Sequence, residues 1–245
     1  MRDRTLSWDG CLNVRDLGGV ATENGGETAW GRVVRADSVR MLTDAGWKAL
    51  AAHGIRTVVD LRTHAEIAED PPHEAAVEVV HISVMAEPGD PVLAEIDAAS
   101  RAAGEREYEV FYLESLRHWG GRFAESIAAV ADAPAGGVAI HCHSGKDRTG
   151  LIAAFLLRLA GVSAEQAAAD YALSAKNLAP RWRAWVNEAE DEEERGLRVR
   201  MAQTPAHAML GVLETLEREH SSVAGFLQAQ GLDDQTIDRA RARLR

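Results

Sequence analysis

The fold of this chain is decided by the run His141-Cys142-His143-Ser144-Gly145-Lys146-Asp147-Arg148-Thr149-Gly150. A short apolar stretch, residues 137–140, precedes the run, and a longer apolar stretch, residues 151–157, follows it. The first stretch is typical of a buried strand and the second of a helix. A strand, a tight loop and a helix in succession point backbone N–H groups and the positive end of the helix at an anion. The run therefore predicts an anion-binding loop in an α/β protein.

Inside this loop, the residue types fit the chemistry of phosphate esters. Loop amides, the helix end and Arg148 would favour the thiolate of Cys142, which is the nucleophilic form of cysteine. The planar guanidinium of Arg148 can donate two parallel hydrogen bonds to a phosphoryl group. Gly145 and Gly150 permit a tight turn, and Thr149 could donate its hydroxyl to the sulfur. Together these residues predict cleavage of a phosphate ester through a cysteine nucleophile.

Other interpretations of the same run are a metal site, a redox cysteine and a chance pattern. His141 and His143 flank Cys142, but neighbours on an extended segment point to opposite sides, and no second Cys/His pair has ligand spacing. No second cysteine lies nearby in the sequence to resolve a disulfide. We therefore expect no metal and no cofactor.

Composition limits the class of protein. With 245 residues, of which 46% are hydrophobic, the chain can form one large domain. A net charge of −11 predicts a soluble protein that binds neither nucleic acid nor, stably, a membrane. Two cysteines and an N-terminus without an apolar h-region predict a cytoplasmic location. The sequence leaves open export by a route without a signal peptide, and it does not report the oligomeric state.

The order of elements predicts a central, largely parallel sheet flanked by helices. Strands are expected over residues 32–36, 57–61 and 77–84, with a helix capped by Thr43 between the first two. Alternation of this kind favours a parallel sheet. A helix is expected from Ser163 through about Ser174, and Thr204-Pro205 begins another, so the C-terminal part is mostly helical.

Three stretches together resemble the cysteine-based protein-tyrosine phosphatases. The central run resembles the phosphate-binding loop of that family, and its Lys-Asp pair points to the bacterial branch of mycobacterial protein-tyrosine phosphatase B. Residues 13–19, Asn-Val-Arg-Asp-Leu-Gly-Gly, resemble the N-terminal motif of this branch. Residues 57–62, Thr-Val-Val-Asp-Leu-Arg, with Glu66 resemble its strand and following loop. The resemblance touches most of the chain.

This resemblance implies one phosphatase domain over residues 1–245, with a helical lid insertion at about 86–120. It implies that Cys142 forms a phosphocysteine, that Arg148 binds the phosphate and that Asp147 is the general acid. Lys146 is expected to contact the phosphate, and such a lysine is associated with activity on phosphoinositides. The expected phosphate-binding residues are His143, Ser144, Gly145, Lys146, Asp147 and Arg148, with His141 and Thr149 supporting the loop and the thiolate.

The identity of the acid and the extent of the pocket stay open in the sequence. A carboxyl beside a bound phosphate is favoured in its protonated form by like-charge repulsion, which suits Asp147 as a proton donor. Asp60 is its rival, because Asp60 and Arg62 follow a strand, where open α/β sheets bind ligands. Asn13, Arg15 and Asp16 are candidate pocket residues whose alternative role is to pin the N-terminal segment to the sheet.

The substrate class also has alternatives. We expect hydrolysis of phosphotyrosine in proteins, with phosphoserine, phosphothreonine and phosphoinositides as further candidate substrates. A phosphatase acting on phosphoinositides or small molecules, and a module that binds phosphate esters without catalysis, are the competing hypotheses.

Overall fold

The structure is a computed structural model that describes residues 2–70 and 77–245. Five strands form one sheet in the order β1-β2-β5-β3-β4. They are β1 (Arg15–Asp16), β2 (Val33–Ala36), β3 (Ile55–Asp60), β4 (Glu78–His81) and β5 (Gly137–His141). Strand β1 pairs antiparallel with β2, and the other pairs are parallel. The predicted largely parallel sheet is confirmed.

Helices pack around this sheet in the part of the chain that the structure describes. They are α1 (Asp44–Ala52), α2 (His64–Glu69), α3 (Pro91–Ala102), α4 (Glu107–Asp132), α5 (Arg148–Leu159), α6 (Ala164–Asn187), α7 (Glu192–Met201), α8 (Ala206–His220), α9 (Val223–Ala229) and α10 (Asp234–Arg243). Short 3-10 turns lie at Val39–Met41 and Gly104–Arg106. The predicted helical C-terminal part is confirmed, and α3, the second 3-10 turn and the first half of α4 occupy the segment expected to form a lid.

Strand β5 is the centre of the sheet, and all five of its residues are buried. Val138 and Ile140 pack into the larger hydrophobic core, and Ala139 between them packs into the smaller one. Alternate residues of a strand face opposite sides, so a strand covered on both faces is apolar throughout. This burial explains why residues 137–140 carry no polar side chain, and it places the loop after β5 at the middle of the sheet edge.

Helix α6 is longer than the sequence predicts. Its expected end near Ser174 is wrong, because the helix continues to Asn187 with Pro180 inside it. Proline lacks the N–H that the helix needs and usually ends a helix. Lys176 and Pro180 are both exposed, so the missing hydrogen bond lies on the solvent side. The extension adds about three turns beyond Ser174.

No helix within the described ranges combines the length and the apolar character that crossing a membrane requires.

Candidate active site

The anion-binding loop spans Cys142 to Asp147, between β5 and α5. The preceding residue, His141, lies between the ends of β2 and β3 in the parallel ladders. Cys142 is buried, with 1% of its surface exposed, and packs at the margin of the larger core. The carboxyl ends of parallel strands are where open α/β sheets bind ligands.

All six backbone carbonyls of this loop accept hydrogen bonds from the surrounding protein. Asn13 Nδ2 donates to Ser144 O and Gly145 O, both at 3.1 Å, and Arg35 Nη2 donates to Gly145 O at 2.7 Å and Lys146 O at 3.3 Å. The remaining three acceptors are Cys142 O, His143 O and Asp147 O, whose partners are His141 Nδ1, Ser38 N and Leu151 N.

The backbone N–H groups of the loop are left free by this arrangement. Those of His143 to Asp147 have no partner among the described residues, and no side chain caps the start of α5. Unpaired N–H groups at a helix N-terminus form a ready site for an anion. The loop is therefore preorganised to receive an oxyanion.

Gly145 lets the loop lie close to strand β2. Its φ is +64°, and a Cβ at this position would lie 2.1 Å from Ala36 O. Both the positive φ and the close approach exclude an ordinary side chain. The glycine that the sequence assigns to a tight turn thus sets how near the loop sits to the sheet.

Asp170 on α6 holds a buried cluster of arginines beneath the loop. Its carboxylate accepts from Arg15 Nε at 3.2 Å, Arg35 Nη1 at 2.9 Å and Arg4 Nη2 at 2.7 Å. Burial acts to raise the pKa of Asp170, but the three arginines outweigh it and lower the pKa. Since three cations share one carboxylate, the cluster carries excess positive charge, which favours an anion in the loop above.

Arg148 is oriented by Glu66. Its Nη1 and Nη2 donate to the two carboxylate oxygens of Glu66 at 2.5 and 2.8 Å, and Nη1 also donates to Leu61 O at 3.4 Å. Of the five N–H donors of a guanidinium, Nε–H and one Nη2–H have no partner in the described residues. These two donors lie along one edge and suit the paired oxygens of a phosphoryl group.

Asp147 is held by a pair of buried tyrosines. Tyr112 Oη donates to Asp147 Oδ1, and Tyr112 Oη lies 2.7 Å from Tyr171 Oη. Burial and the nearby Asp147 raise the pKa of both phenols, so both keep their protons. The hydrogen bond from Tyr112 therefore fixes one carboxylate oxygen of Asp147 at the loop.

The side chain of Lys146 reaches from the loop to the end of α7. Its Nζ donates to Met201 O at 2.6 Å and Gln203 O at 3.0 Å, just past α7, and lies 3.2 Å from Tyr108 Oη. The side chain thus ties the loop to the end of α7, and Lys146 also lines the cavity above the loop.

The cavity that opens above the loop is not lined by Asp60, Arg62 or Asp16. The Asp60 carboxylate accepts from Arg62 N, Nε and Nη2, which makes a buried local ion pair. Asp16 accepts from Gly18 N and Gly31 N, both at 2.8 Å. These carboxylates are used to shape turns next to the sheet.

Asn13 and Arg15 also lie outside the cavity. Asn13 holds the loop from behind, and Arg15 donates to Asn13 Oδ1 at 2.7 Å. Thr149 is fully buried, and its Oγ1 has no partner in the described part of the chain. His141 is buried beside the loop, where burial lowers its pKa and keeps the ring neutral.

A cavity of about 870 Å³ opens above the loop. Its floor includes His143, Ser144 and residues 146–148, and α3, α4, α6 and α7 supply its walls. The apolar part of the wall consists of Phe111, Trp182, Trp185, Leu197 and Met201. Two of these residues lie in the part of α6 beyond Pro180.

Several residues that build the site were not singled out by sequence reasoning. They are Arg35, Tyr112 and the α6–α7 wall, and Glu66 was noted only as part of a motif. A signal existed for Glu66, because Thr63-x-x-Glu66 is the pattern of a capping box, which the structure contains. The remaining residues take part in the site through contacts with residues far away in the chain, and such contacts leave no local pattern in the sequence.

The chain is similar to tyrosine phosphatases over nearly its whole length. The model of the tyrosine phosphatase family matches residues 6–245. A tyrosine-protein phosphatase of Nostoc commune is 29% identical over 86% of this chain and 73% of that protein. The triple specificity protein phosphatase PtpB of Mycobacterium tuberculosis is 26% identical over 95% of this chain and 96% of that protein.

Proposed function

Because the chain belongs to the tyrosine phosphatase family, we propose that it hydrolyses phosphotyrosine in proteins through a phosphocysteine on Cys142. The observation that carries this proposal is the loop: its six carbonyls are bound, while the N–H groups of His143 to Asp147 have no partner among the described residues. Cys142 begins the loop, and Arg148, the first residue of α5, has two N–H donors without a partner among the described residues. The relative PtpB is named a triple specificity protein phosphatase, which supports more than one class of substrate, and we propose phosphoserine and phosphothreonine in proteins as the further substrates.

In the first step, the thiolate of Cys142 attacks phosphorus, and the bond from phosphorus to the tyrosyl oxygen breaks. The electron pair of that bond goes to the leaving oxygen, which takes the proton of Asp147. Loop N–H groups and Arg148 bind the phosphoryl oxygens as charge develops on them. The product is a tyrosine hydroxyl and a phosphocysteine.

In the second step, water attacks phosphorus and the sulfur–phosphorus bond breaks. The Asp147 carboxylate takes a proton from the water, and inorganic phosphate leaves. The buried hydroxyl of Thr149, which lacks a partner among the described residues, is the donor available to the sulfur. Asp147 serves as acid and then as base, in accord with its position at the loop and on the cavity wall.

Rapid mixing with p-nitrophenyl phosphate tests the proposal. We expect a burst of nitrophenol equal in amount to the enzyme, and a quenched peptide containing Cys142 that has gained one phosphoryl group. Cys142→Ser should lose both signals, and Cys11→Ser, which alters the other free cysteine, should keep both. Binding of a phosphotyrosine peptide without turnover would instead identify a binding module. Faster hydrolysis of sugar phosphates than of any phosphopeptide would identify a small-molecule phosphatase.

A further inference from the structure

The part of a substrate that lies beyond its phosphoryl group must occupy the cavity above the loop. The same cavity contains the loop residues 146–148 and the walls from α3, α4, α6 and α7. Its volume of about 870 Å³ is in the range of sites that enclose a whole small ligand. The walls of the cavity therefore contact the groups that flank the phosphate ester.

Aromatic and aliphatic side chains form much of this wall. The rings of Trp182 and Trp185 lie 5.6 Å apart, centre to centre, and Phe111 lines the cavity from α4. The guanidinium of Arg198 covers the Trp185 ring at 5.1 Å and so fixes that ring against α7. The indole and phenyl rings make this part of the wall apolar.

Two aliphatic side chains of α7 are exposed in the cavity. Leu197 is 39% exposed and Met201 is 51% exposed, and both line the cavity. Burying an apolar side chain is favourable in proportion to the area removed from water. A ligand that covers these two side chains with an apolar group of its own gains this free energy.

The charges of the wall do not favour a second phosphate group. The cavity is lined by five acidic and five basic side chains. Three of the basic groups are already bound: Lys146 to carbonyls, Arg148 to Glu66 and Arg181 to Asp37.

Among the described residues, Arg101 and Arg200 have no ion-pair partner, and neither do the acidic Asp97, Glu107 and Glu188. Beyond the loop, the unpaired groups thus include more carboxylates than arginines.

We infer that this cavity selects phosphotyrosine segments that carry a large apolar side chain next to the phosphotyrosine, and that it disfavours inositol headgroups with several phosphates. The apolar neighbour packs on Trp182, Trp185 and Leu197, while the phosphoryl group lies in the loop. This selectivity rests on the proposed hydrolysis of phosphotyrosine, and it defines the class of phosphotyrosine peptides that the enzyme prefers.

Peptide kinetics test the inference. The probes are a phosphotyrosine peptide with leucine or tryptophan beside the phosphotyrosine, the same peptide with serine there, inositol 1,3-bisphosphate, and p-nitrophenyl phosphate. We expect kcat/KM to be about tenfold higher for the apolar peptides than for the serine peptide, and the inositol bisphosphate to be the poorest substrate.

Two variants of α7 provide a matched comparison. Leu197→Ser should lower the preference for the apolar peptides several-fold. Val199→Ser alters a residue of the same helix that is 44% exposed and does not line the cavity, so it should leave that preference unchanged. Because both side chains are exposed, neither change should prevent folding.

The outcomes separate the two proposals. Equal kcat/KM for all peptides with normal turnover of p-nitrophenyl phosphate would overturn the apolar subsite alone, as would an inositol bisphosphate that exceeds the peptides. Absence of turnover of p-nitrophenyl phosphate would overturn the proposed function itself.

Discussion

Replacing Glu66 with Gln should weaken both the fold and the reaction. Burial acts to raise the pKa of Glu66, but the hydrogen bonds and charge of Arg148 outweigh it and lower the pKa to about 2. Lowering a carboxyl pKa from 4.5 to about 2 corresponds to about 3 kcal/mol of stability. Since 25% of the side chain is exposed, screening by water reduces this figure to about 1–2 kcal/mol. For a chain of this length, Tm should fall by about 2–8 °C.

The sign of the pH dependence follows from the lowered pKa. The carboxylate stabilises the fold fully above the ordinary value of 4.5, and its contribution is lost as pH falls from 4.5 towards 2. The difference in Tm between the two proteins should therefore shrink over that interval. Calorimetry at neutral pH and at stepwise lower pH measures this difference.

Activity gives the second readout for the same change. The amide oxygen of Gln can still serve the capping box with Thr63, so the substitution mainly removes the anion that holds Arg148. A guanidinium free to rotate should lower kcat/KM for a phosphotyrosine peptide by about 10- to 100-fold. Glu69→Gln, at an exposed position of the same helix, is the control and should change neither quantity. If Glu66→Gln matched this control in Tm and in kcat/KM, the reasoning about Arg148 would be refuted.

Three further substitutions test the acid, its tyrosine and the buried arginine cluster. Asp147→Asn should lower kcat by about 100-fold or more; if Asp60→Asn lowered kcat to this extent instead, in a folded protein, Asp147 would not be the acid. Tyr112→Phe removes the hydroxyl that holds Asp147 Oδ1 at the loop, so kcat should fall by about tenfold, and an unchanged kcat would contradict the role of Tyr112. Asp170→Asn leaves the buried arginines without their carboxylate and should lower the free energy of unfolding by about 3–5 kcal/mol. Calorimetry should show a fall in Tm of about 6–20 °C, and a fall of less than 2 °C would contradict the role of Asp170 in holding the arginine cluster.

The centre of the fold could be predicted because its signals are local. An apolar strand, a loop rich in glycine and polar residues, and an apolar helix follow one another over residues 137–159, and each is recognisable alone. The positive φ of Gly145 and the position of the loop after β5 agree with that pattern. The strand ending at Asp60 was likewise predicted within a few residues.

The surroundings of the loop could not be predicted because they depend on distant contacts. Arg35 and Asp170 are 135 residues apart, and neither has a distinctive neighbour in the sequence. Asp60 does lie at the end of β3, as the positional rule expects, but its carboxylate turns back to Arg62 N two residues on. The predicted end of α6 near Ser174 left Trp182 and Trp185, the two tryptophans of the cavity wall, outside the helix that the structure shows.

The central place of β5 has a consequence for the reactivity of Cys142 towards thiol reagents. Strands β2 and β3 pair with β5 on both sides, so separating β5 from the sheet breaks two ladders at once. Amide hydrogens of such a strand exchange with solvent mainly through global unfolding. We therefore expect alkylation of Cys142 in the native protein to proceed from the cavity above the loop rather than by local opening of the sheet. Its rate should follow how far the cavity is occupied, and phosphate or vanadate should slow it without slowing the alkylation of Cys11.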